Sequence, residues 1–482
     1  MGVREKVVDT VASALESAGV IEEERLRRTT ALAWPRIVTG FSIMSKHTVD
    51  VALVGWTVGA TAVAGLSFAF AYWGVAKFVG IGLAGGTVSL VSRRYGGDDR
   101  TGASVAVLQS LWVAVVLSAP FVVVYAVFST ELVGVFGTRT EVVDAGGTYL
   151  AIVAPALLFE FLNLIGSRTY AGVGDTVTPM VIRAGGALLN IVLSAVLVFG
   201  LGTGVVGVAI GTVVSVAAVT VFLGWGMLGR RYGVRGMLPS PVPIVPEGES
   251  PRVNLSVTRE LLGVSAPLMA RKVSEMAVVF PLLWIASSFG PVVVAGFEVG
   301  RRIRGLLSSF NWGLATASSA LVGQELGAGD VSEAVEYGAS IIRLSAVVYL
   351  IASGVVIVFA APIAALFVSG AEEVTQATTF VQVAALSGLA LGVNGATTGA
   401  LLGAGDTRWP FVASIVGQYA LALPVAAVGL VTSLGVGGLY IAFVLGMAFP
   451  AVANIARFRG GNWTEKAVPV SSDTDISGRV EG

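Results

Sequence analysis

The chain has 482 residues, of which 55% are hydrophobic and only 12% are charged. A soluble domain averages about 25% charged residues, so most of this chain's surface cannot face water. The net charge is zero, which gives no sign of a nucleic-acid partner. Without cysteine and with His47 as its single histidine, the sequence excludes disulfides and metal sites built from thiolates or several histidines. The composition indicates a membrane protein that needs no cofactor.

Twelve long apolar stretches follow one another along the chain in two series of six. Each reaches the roughly 20 residues that cross a bilayer core of about 30 Å, and backbone groups in lipid must be hydrogen-bonded internally. We therefore predict twelve transmembrane helices, numbered 1 to 12 in chain order. They lie near residues 34–57, 62–92, 102–128, 141–171, 177–200, 204–228, 259–289, 293–323, 333–361, 372–402, 408–431 and 435–457.

The polar stretches around these helices divide the chain into segments. An N-terminal segment with a partial amphipathic period is predicted to lie in the cytosol or at the membrane interface. A linker with several prolines separates the two series, and the polar tail is predicted to be disordered. The segments are 1–33 (N-terminal), 34–228 (N-lobe, helices 1–6), 229–258 (cytoplasmic linker), 259–458 (C-lobe, helices 7–12) and 459–482 (tail).

The two series are copies of each other at a constant offset of 231 positions. The Gly-Asp-Thr sequence at 174–176 returns at 405–407, and Asn163 returns as Asn394. An unchanged offset means that there is no net insertion between the copies. Because six helices are an even number, both copies enter the membrane from the same side. We predict an all-α membrane protein with twelve transmembrane helices in two six-helix lobes related by a parallel pseudo-two-fold repeat.

Lysine and arginine are concentrated in the loops on one side of the predicted helices. Cytoplasmic loops carry such an excess, so both termini are predicted to be cytoplasmic. The chain would then be a multi-pass protein of the plasma membrane, surrounded by lipid. The basic residues on this side include Arg4, Arg25, Arg94, Arg100, Arg168, Arg183, Arg408 and Arg457. The opposite loops carry almost only Arg139.

Asp50 lies midway along helix 1, where a charged side chain is costly and usually functional. His47 and Lys46 precede it by three and four positions, which places the side chains on one helix face. Two interpretations remain open. Lys46 and Asp50 form an ion pair that only neutralises itself, or Asp50 is a titratable or ion-binding carboxylate beside a wet cavity. Lys46 and His47 are also candidates for contacts with a charged substrate.

The repeat shows where the first copy keeps polar groups that the second copy lacks. Asp50, Asn190, Ser194 and Thr212 correspond, at the same offset, to Pro281, Leu421, Val425 and Phe443. Asn190 and Ser194 are one turn apart in helix 5. A carboxylate, an amide and hydroxyls suit a hard cation or a proton relay. We therefore predict that these polar residues of the N-lobe form a coupling site for Na⁺ or H⁺.

Further charges within the predicted helices are candidates for substrate contacts. Glu275 in helix 7 follows basic residues by three and four positions, so a site for a cationic substrate and a local ion pair both remain open. Arg302 in helix 8 has neighbouring arginines, a grouping that favours the lining of a cavity or an interface over snorkelling. Lys77 in helix 2 and Glu160 in helix 4 are predicted to be lone charges.

Prolines fall in helices 1 and 7, which are equivalent in the repeat. They are Pro35, Pro267 and Pro281. Proline removes a backbone hydrogen bond and kinks a helix, so both helices are predicted to be interrupted. A bending motion that gates the pathway and a static kink are both compatible with this pattern.

The pattern Gly-x-Gly-Asp occurs at 172–175, 327–330 and 403–406, and it is similar to a motif of intramembrane aspartyl proteases. All the copies lie at predicted helix ends, where glycine closes one helix and aspartate caps the next. We therefore interpret them as caps. An enzyme is not predicted, because the chain lacks a convincing pair of acids for such chemistry.

Local motifs in the chain resemble the multidrug and toxic compound extrusion (MATE) family over about residues 34–457. They are VGQELGAGD from Val322 to Asp330, Gly174-Asp175-Thr176 with Pro179, and NIVLSAVLVFG from Asn190 to Gly200. The resemblance implies two six-helix lobes that form a V, and export of large, often cationic, amphipathic compounds in exchange for Na⁺ or H⁺. It also implies a coupling site at Asp50, Asn190 and Thr212. Members often carry a second acid where this chain has Ser194, which leaves the coupling ion undecided.

The sequence thus predicts a secondary active multidrug exporter that exchanges amphipathic or cationic organic compounds for Na⁺ or H⁺ by alternating access. A pathway between the lobes would hold the substrate against aromatic and apolar walls. The protein is expected to be a monomer. The alternative is a lipid-linked saccharide or lipid flippase of the same superfamily, because such proteins often have more cationic cavities and helix 8 carries several arginines.

Overall fold

The computed structural model of the chain describes residues 12–96, 98–136, 139–173, 175–227, 253–406 and 408–464. Within these ranges the chain forms the predicted twelve long helical segments. In order, they are Glu23–Thr57, Ala60–Gly96, Arg100–Val127, Thr140–Val153 with Ala156–Gly172, Val177–Gly200, Gly204–Met227, Leu255–Ala277 with Val279–Ser287, Pro291–Gly327, Val331–Val358, Ala371–Gly403, Arg408–Val431 and Gly437–Arg459. These are helices 1 to 12.

Among the described residues, nine of these segments are single helices that are long and apolar enough to cross a membrane. The bent helix 4 is a further candidate span. Helix 7 is broken, and helix 8 carries several charged residues, yet both occupy the predicted places in the order of the C-lobe. The architecture of twelve helices in two lobes is therefore confirmed.

The ends of the lobes differ slightly from the predicted boundaries. Helix 1 begins at Glu23, inside the segment predicted to be separate from the N-lobe, and helix 7 begins at Leu255, inside the predicted linker. Asn254 fixes the second start, because its side chain accepts a hydrogen bond from the backbone N–H of Val257. Residues 228–252 of the linker and 465–482 of the tail lie outside the described residues, so the five-segment division stays a prediction.

Proline affects the two equivalent helices differently. Helix 1 runs without a break through Pro35, so the predicted interruption of this helix is wrong. Helix 7 ends its first part at Ala277 and resumes at Val279. Pro281 explains this break, because it has no N–H to donate to the carbonyl of Ala277.

Aspartates at helix starts confirm most of the predicted caps. Asp330 accepts from the backbone N–H of Glu333 at 2.9 Å, and Asp175 accepts from that of Thr178 at 2.9 Å. The third Gly-x-Gly-Asp aspartate, Asp406, accepts a hydrogen bond from Arg457 Nε over 2.9 Å. This aspartate therefore also forms an ion pair with the end of helix 12.

The lobes meet where helix 1 packs along helix 8 and helix 2 packs along helix 7. Glycine permits these close approaches, as in many membrane helix pairs. A Cβ on Gly82 of helix 2 would lie 2.5 Å from the Cα of Met269 of helix 7. At the end of helix 1, a Cβ on Gly55 would lie 1.6 Å from the carbonyl oxygen of Phe367. Helix 1 therefore belongs to the N-lobe and also forms much of its contact with the C-lobe.

Candidate functional site

Asp50 is fully buried in helix 1, and helices 5 and 6 surround its carboxylate with polar groups. Ser194 Oγ donates to Asp50 Oδ1 over 3.3 Å, and Thr212 Oγ1 donates to Asp50 Oδ2 over 3.5 Å. Asn190 and Ser194 are fully buried as well, and Thr212 is 3% exposed. The structure thus brings together the polar residues that the repeat comparison selected.

The Asn190 amide completes the shell around Asp50. With its nitrogen toward helix 1, it donates to Asp50 Oδ1 over 3.2 Å, and its oxygen accepts from the backbone N–H of Thr212 at 3.1 Å. The opposite orientation would place the amide oxygen against the carboxylate, so the hydrogen-bond partners assign the first one. Asp50 therefore accepts hydrogen bonds from both neighbouring helices.

The local sequence explains why helices 5 and 6 approach closely enough to share this carboxylate. A Cβ on Gly211 of helix 6 would lie 2.4 Å from Ser194 Oγ, so only glycine leaves room for that hydroxyl. Thr212 follows directly in the chain and projects toward Asp50. Tyr149 of helix 4 lies on the other side of Thr212 and is also buried. Sequence reasoning did not select Tyr149, because a tyrosine in an apolar stretch is an ordinary core residue.

The chemistry of this site suits a small cation. The Asp50 carboxylate and the hydroxyl oxygens of Ser194 and Thr212 are hard ligands that suit Na⁺, and the carboxylate is also a proton acceptor. Within the described ranges there is no group of three or more histidine, cysteine or acidic residues that could hold a metal. An isolated charged carboxylate is costly in a buried site, so binding of a cation or a proton would stabilise Asp50.

A small cavity lies inside the N-lobe, one helical turn from Asp50. Helices 1, 2, 4, 5 and 6 all contribute to its wall, so this cavity does not lie between the lobes, where the substrate was expected. Lys46 and His47 both line it, and His47 Nδ1 is buried without a hydrogen-bond partner among the described atoms. In the described part of the chain, Lys46 and Asp50 do not form the ion pair that the sequence left open.

The charges predicted to be single in helices 2 and 4 are in fact paired across this cavity. Lys77 Nζ lies 2.9 Å from Glu160 Oε1, and Arg183 Nη2 of helix 5 lies 3.7 Å from the same oxygen. Arg183 was considered only as a loop charge in the sequence. It precedes Asn190 by seven positions, so the two share one face of helix 5, and this spacing could have placed Arg183 in the cavity.

The other charge candidates lie elsewhere. Arg302 of helix 8 pairs with the fully buried Glu298, and its guanidinium lies 4.1 Å from the ring centre of Phe70 in helix 2. Arg302 therefore lies at the contact between the lobes, whereas the sequence did not identify Glu298 at all. Glu275 belongs to helix 7, and its side chain lies outside the described residues.

The second copy fills the equivalent of the Asp50 site with apolar groups. Phe443 takes the place of Thr212 and packs edge-on against Phe297 at 5.6 Å. The guanidinium of Arg304 lies 3.9 Å from the Phe443 ring centre. The polar site is therefore a property of the N-lobe and is not required by the shared fold.

Comparison with known proteins gives consistent matches. A family model described as MatE matches residues 35–196 and 267–428, one region in each lobe. A probable multidrug resistance protein NorM from Deinococcus radiodurans is 26% identical, over 90% of this chain and 95% of its own length. A multidrug resistance protein MdtK from Yersinia enterocolitica is 25% identical, over 91% of this chain and 96% of its own length.

A solved structure shows the same fold. It is the inward-facing conformation of a multidrug resistance MATE family transporter of the MOP superfamily. The TM-score is 0.78 at 21% sequence identity, and the alignment covers 91% of this chain and 100% of that one. At 21% identity, this similarity shows that the two proteins share an arrangement of helices.

Proposed function

This chain belongs to the multidrug and toxic compound extrusion family of membrane transporters, and from that we propose that it is a secondary active exporter of amphipathic organic compounds driven by Na⁺ or H⁺. Members of the family are transporters, so the protein is not an enzyme. The names of the relatives, multidrug resistance proteins NorM and MdtK, support the substrate range. The matches in both lobes support alternating access by two equivalent bundles.

The observation that carries the proposal is the shell of polar groups around Asp50. This carboxylate is fully buried at membrane depth and accepts hydrogen bonds from Asn190, Ser194 and Thr212. A cation or proton that binds there would neutralise its negative charge. Such intramembrane acids commonly serve ion or proton pathways. We therefore assign the coupling ion to Asp50 and its neighbours.

The position of Asp50 in helix 1 gives the ion a route to the rest of the molecule. Helix 1 packs against helix 5 on one side and along helix 8 of the C-lobe on the other. Met44, one and a half turns before Asp50, has its sulfur 3.1 Å from where a Cβ on Gly305 of helix 8 would stand. A change of charge at Asp50 would alter the packing of helix 1 and so bias one arrangement of the lobes over the other.

The remaining features of the proposal follow from the sequence. The loop charges favour cytoplasmic termini in a plasma-membrane protein, and we propose that a monomer is the functional unit, since each chain contains both lobes. The flippase alternative depended on the more cationic cavities of such proteins and on the arginines of helix 8, and it stays the second candidate. Arg301 and Arg302 are both paired with Glu298, which favours a role for them in the lobe contact.

Transport by the purified protein in liposomes tests the proposal. A fluorescent amphipathic dye is loaded, and a Na⁺ gradient and a pH gradient are imposed separately, with protein-free liposomes as the control. We expect one of the gradients to accelerate dye movement in the direction opposite to the ion. If neither gradient changes dye flux in liposomes that contain folded protein, the exporter assignment is wrong.

A further inference from the structure

The cavity in the N-lobe has an excess of positive charge on its walls. Lys46, Lys77 and Arg183 line it, whereas Glu160 is the carboxylate among its lining residues. Glu160 is already engaged by Lys77 at 2.9 Å and by Arg183 at 3.7 Å. One carboxylate therefore serves two of the cations, and the third is left for another partner.

Lys46 is that third cation. Within the described residues it forms no ion pair, although it lines the cavity beside His47. Asp50, one turn away on the same helix, attracts Lys46 electrostatically, although the two form no ion pair within the described residues. The walls of the cavity still carry more cations than carboxylates, and this excess favours a bound anion.

Further basic residues extend this charge beyond the cavity. Arg36 of helix 1 and Arg168 of helix 4 lie close enough to Arg183 to repel it electrostatically. In the part of the chain that the structure describes, neither Arg36 nor Arg168 forms an ion pair. The arginines lie toward the end of the N-lobe where helix 1 begins, and Lys46 and Lys77 lie deeper. A basic path thus leads from that end into the cavity, which would draw anions in.

The second lobe provides an internal control for this charge. At the offset of 231, the five basic residues of the path correspond to uncharged ones. Arg36, Lys46, Lys77, Arg168 and Arg183 become Pro267, Ala277, Ser308, Gly399 and Ser414. By contrast, the cavity residue Asn163 keeps its amide as Asn394. The fold therefore does not require the basic residues, and their presence in one lobe points to a function of that lobe.

We propose that this cavity binds the anionic group of an organic substrate, such as a carboxylate or sulfonate, with Lys46 as the main contact. The proposal rests on the function proposed above and narrows its substrate class. Ile43, Val216 and Val219 supply apolar wall for the rest of the molecule, which fits an amphipathic anion better than an inorganic one.

Binding at fixed pH and fixed Na⁺ concentration tests the proposal independently of transport. Carboxyfluorescein and rhodamine 6G share a xanthene ring system, but the first is an anion and the second a cation. Fluorescence polarisation with the purified full chain in detergent measures both. We expect carboxyfluorescein to bind more tightly than rhodamine 6G, and Lys46→Gln to weaken its binding roughly tenfold, as expected for the loss of a hydrogen bond to a charged group.

Matched variants separate the site from general effects. Lys46→Arg keeps the charge and should restore binding of carboxyfluorescein. Arg100→Gln removes a positive charge from an exposed position outside the cavity and should leave binding unchanged. Lys46→Gln should remain folded because Lys46 forms no ion pair within the described residues, and its unfolding temperature checks this directly.

Two results would overturn the proposal. One is tighter binding of rhodamine 6G than of carboxyfluorescein, and the other is unchanged binding of carboxyfluorescein to folded Lys46→Gln. If inorganic phosphate at equal concentration displaces the dye, the site does not select an organic anion, and that part of the proposal is wrong. Binding through Lys46 without any gradient-driven transport would instead refute the exporter function and leave the anion site standing.

Discussion

The two lobes share a fold and differ in the polar chemistry around Asp50 and the neighbouring cavity. The first lobe contains Asp50 with its amide and hydroxyl neighbours and a basic cavity, whereas the second fills the equivalent place with Phe443 and other apolar groups. The apolar pattern and the close-packing glycines therefore specify the arrangement of helices. A small number of polar substitutions then gives one copy a buried polar site.

The largest expected effect concerns packing at a position where the lobes differ by one methyl group. Gly55 corresponds to the fully buried Ala286, yet a Cβ at Gly55 would lie 1.6 Å from the carbonyl oxygen of Phe367. We expect Gly55→Ala to lower the free energy of unfolding by about 3 kcal/mol or more, because backbone atoms must move. The reverse change, Ala286→Gly, should cost about 1 kcal/mol. Thermal unfolding in detergent measures both, and equal losses would refute the predicted asymmetry.

The second prediction tests whether the polar residues around Asp50 give the two lobes different roles in ion coupling. Asn190→Leu gives the first lobe the residue of the second and removes a donor to Asp50. We expect the concentration of coupling ion for half-maximal transport to change by about tenfold, because the buried carboxylate loses a hydrogen bond worth about 1–3 kcal/mol. Leu421→Ala alters the equivalent position in the other lobe and is the control. A similar change in both variants would mean that the lobes do not differ in coupling.

The smallest effect concerns a feature that both lobes keep. Asp99 and Asp330 are equivalent, and their side chains accept from the backbone N–H groups of Gly102 and Glu333 at 2.7 and 2.9 Å. Replacing either aspartate by alanine should cost about 1 kcal/mol of unfolding free energy, and the two losses should be similar. Thermal unfolding checks this as well. Clearly unequal losses would show that the shared caps have diverged in their roles.

The repeat makes much of the fold accessible from sequence alone. Long apolar stretches predict the helices, and a constant offset predicts the two lobes. The same offset selected Asp50, Asn190, Ser194 and Thr212, because it compares positions that have the same fold and different chemistry. The continuous course of helix 1 through Pro35 was not predicted, because packing against helix 8 can keep a helix continuous where proline alone would interrupt it.

Contacts between distant helices could not be predicted in this way. Lys77 and Glu160 were interpreted as lone charges because nothing in one sequence shows that helices 2 and 4 face each other at that depth. Glu298 was missed although it lies three and four positions before Arg301 and Arg302, a spacing that predicts pairing on one helix. The basic cavity became visible only once helices 1, 2, 4 and 5 had been placed side by side.

Dye transport by Asp50→Asn tests the central claim, that the N-lobe carboxylate couples the ion to transport, most directly. The variant is reconstituted in liposomes and compared with the unaltered protein for gradient-driven transport and for exchange of dye without any ion gradient. We expect gradient-driven transport by this variant to fall to the level of protein-free liposomes, while exchange of dye without a gradient persists. Gradient-driven transport at the rate of the unaltered protein would contradict it.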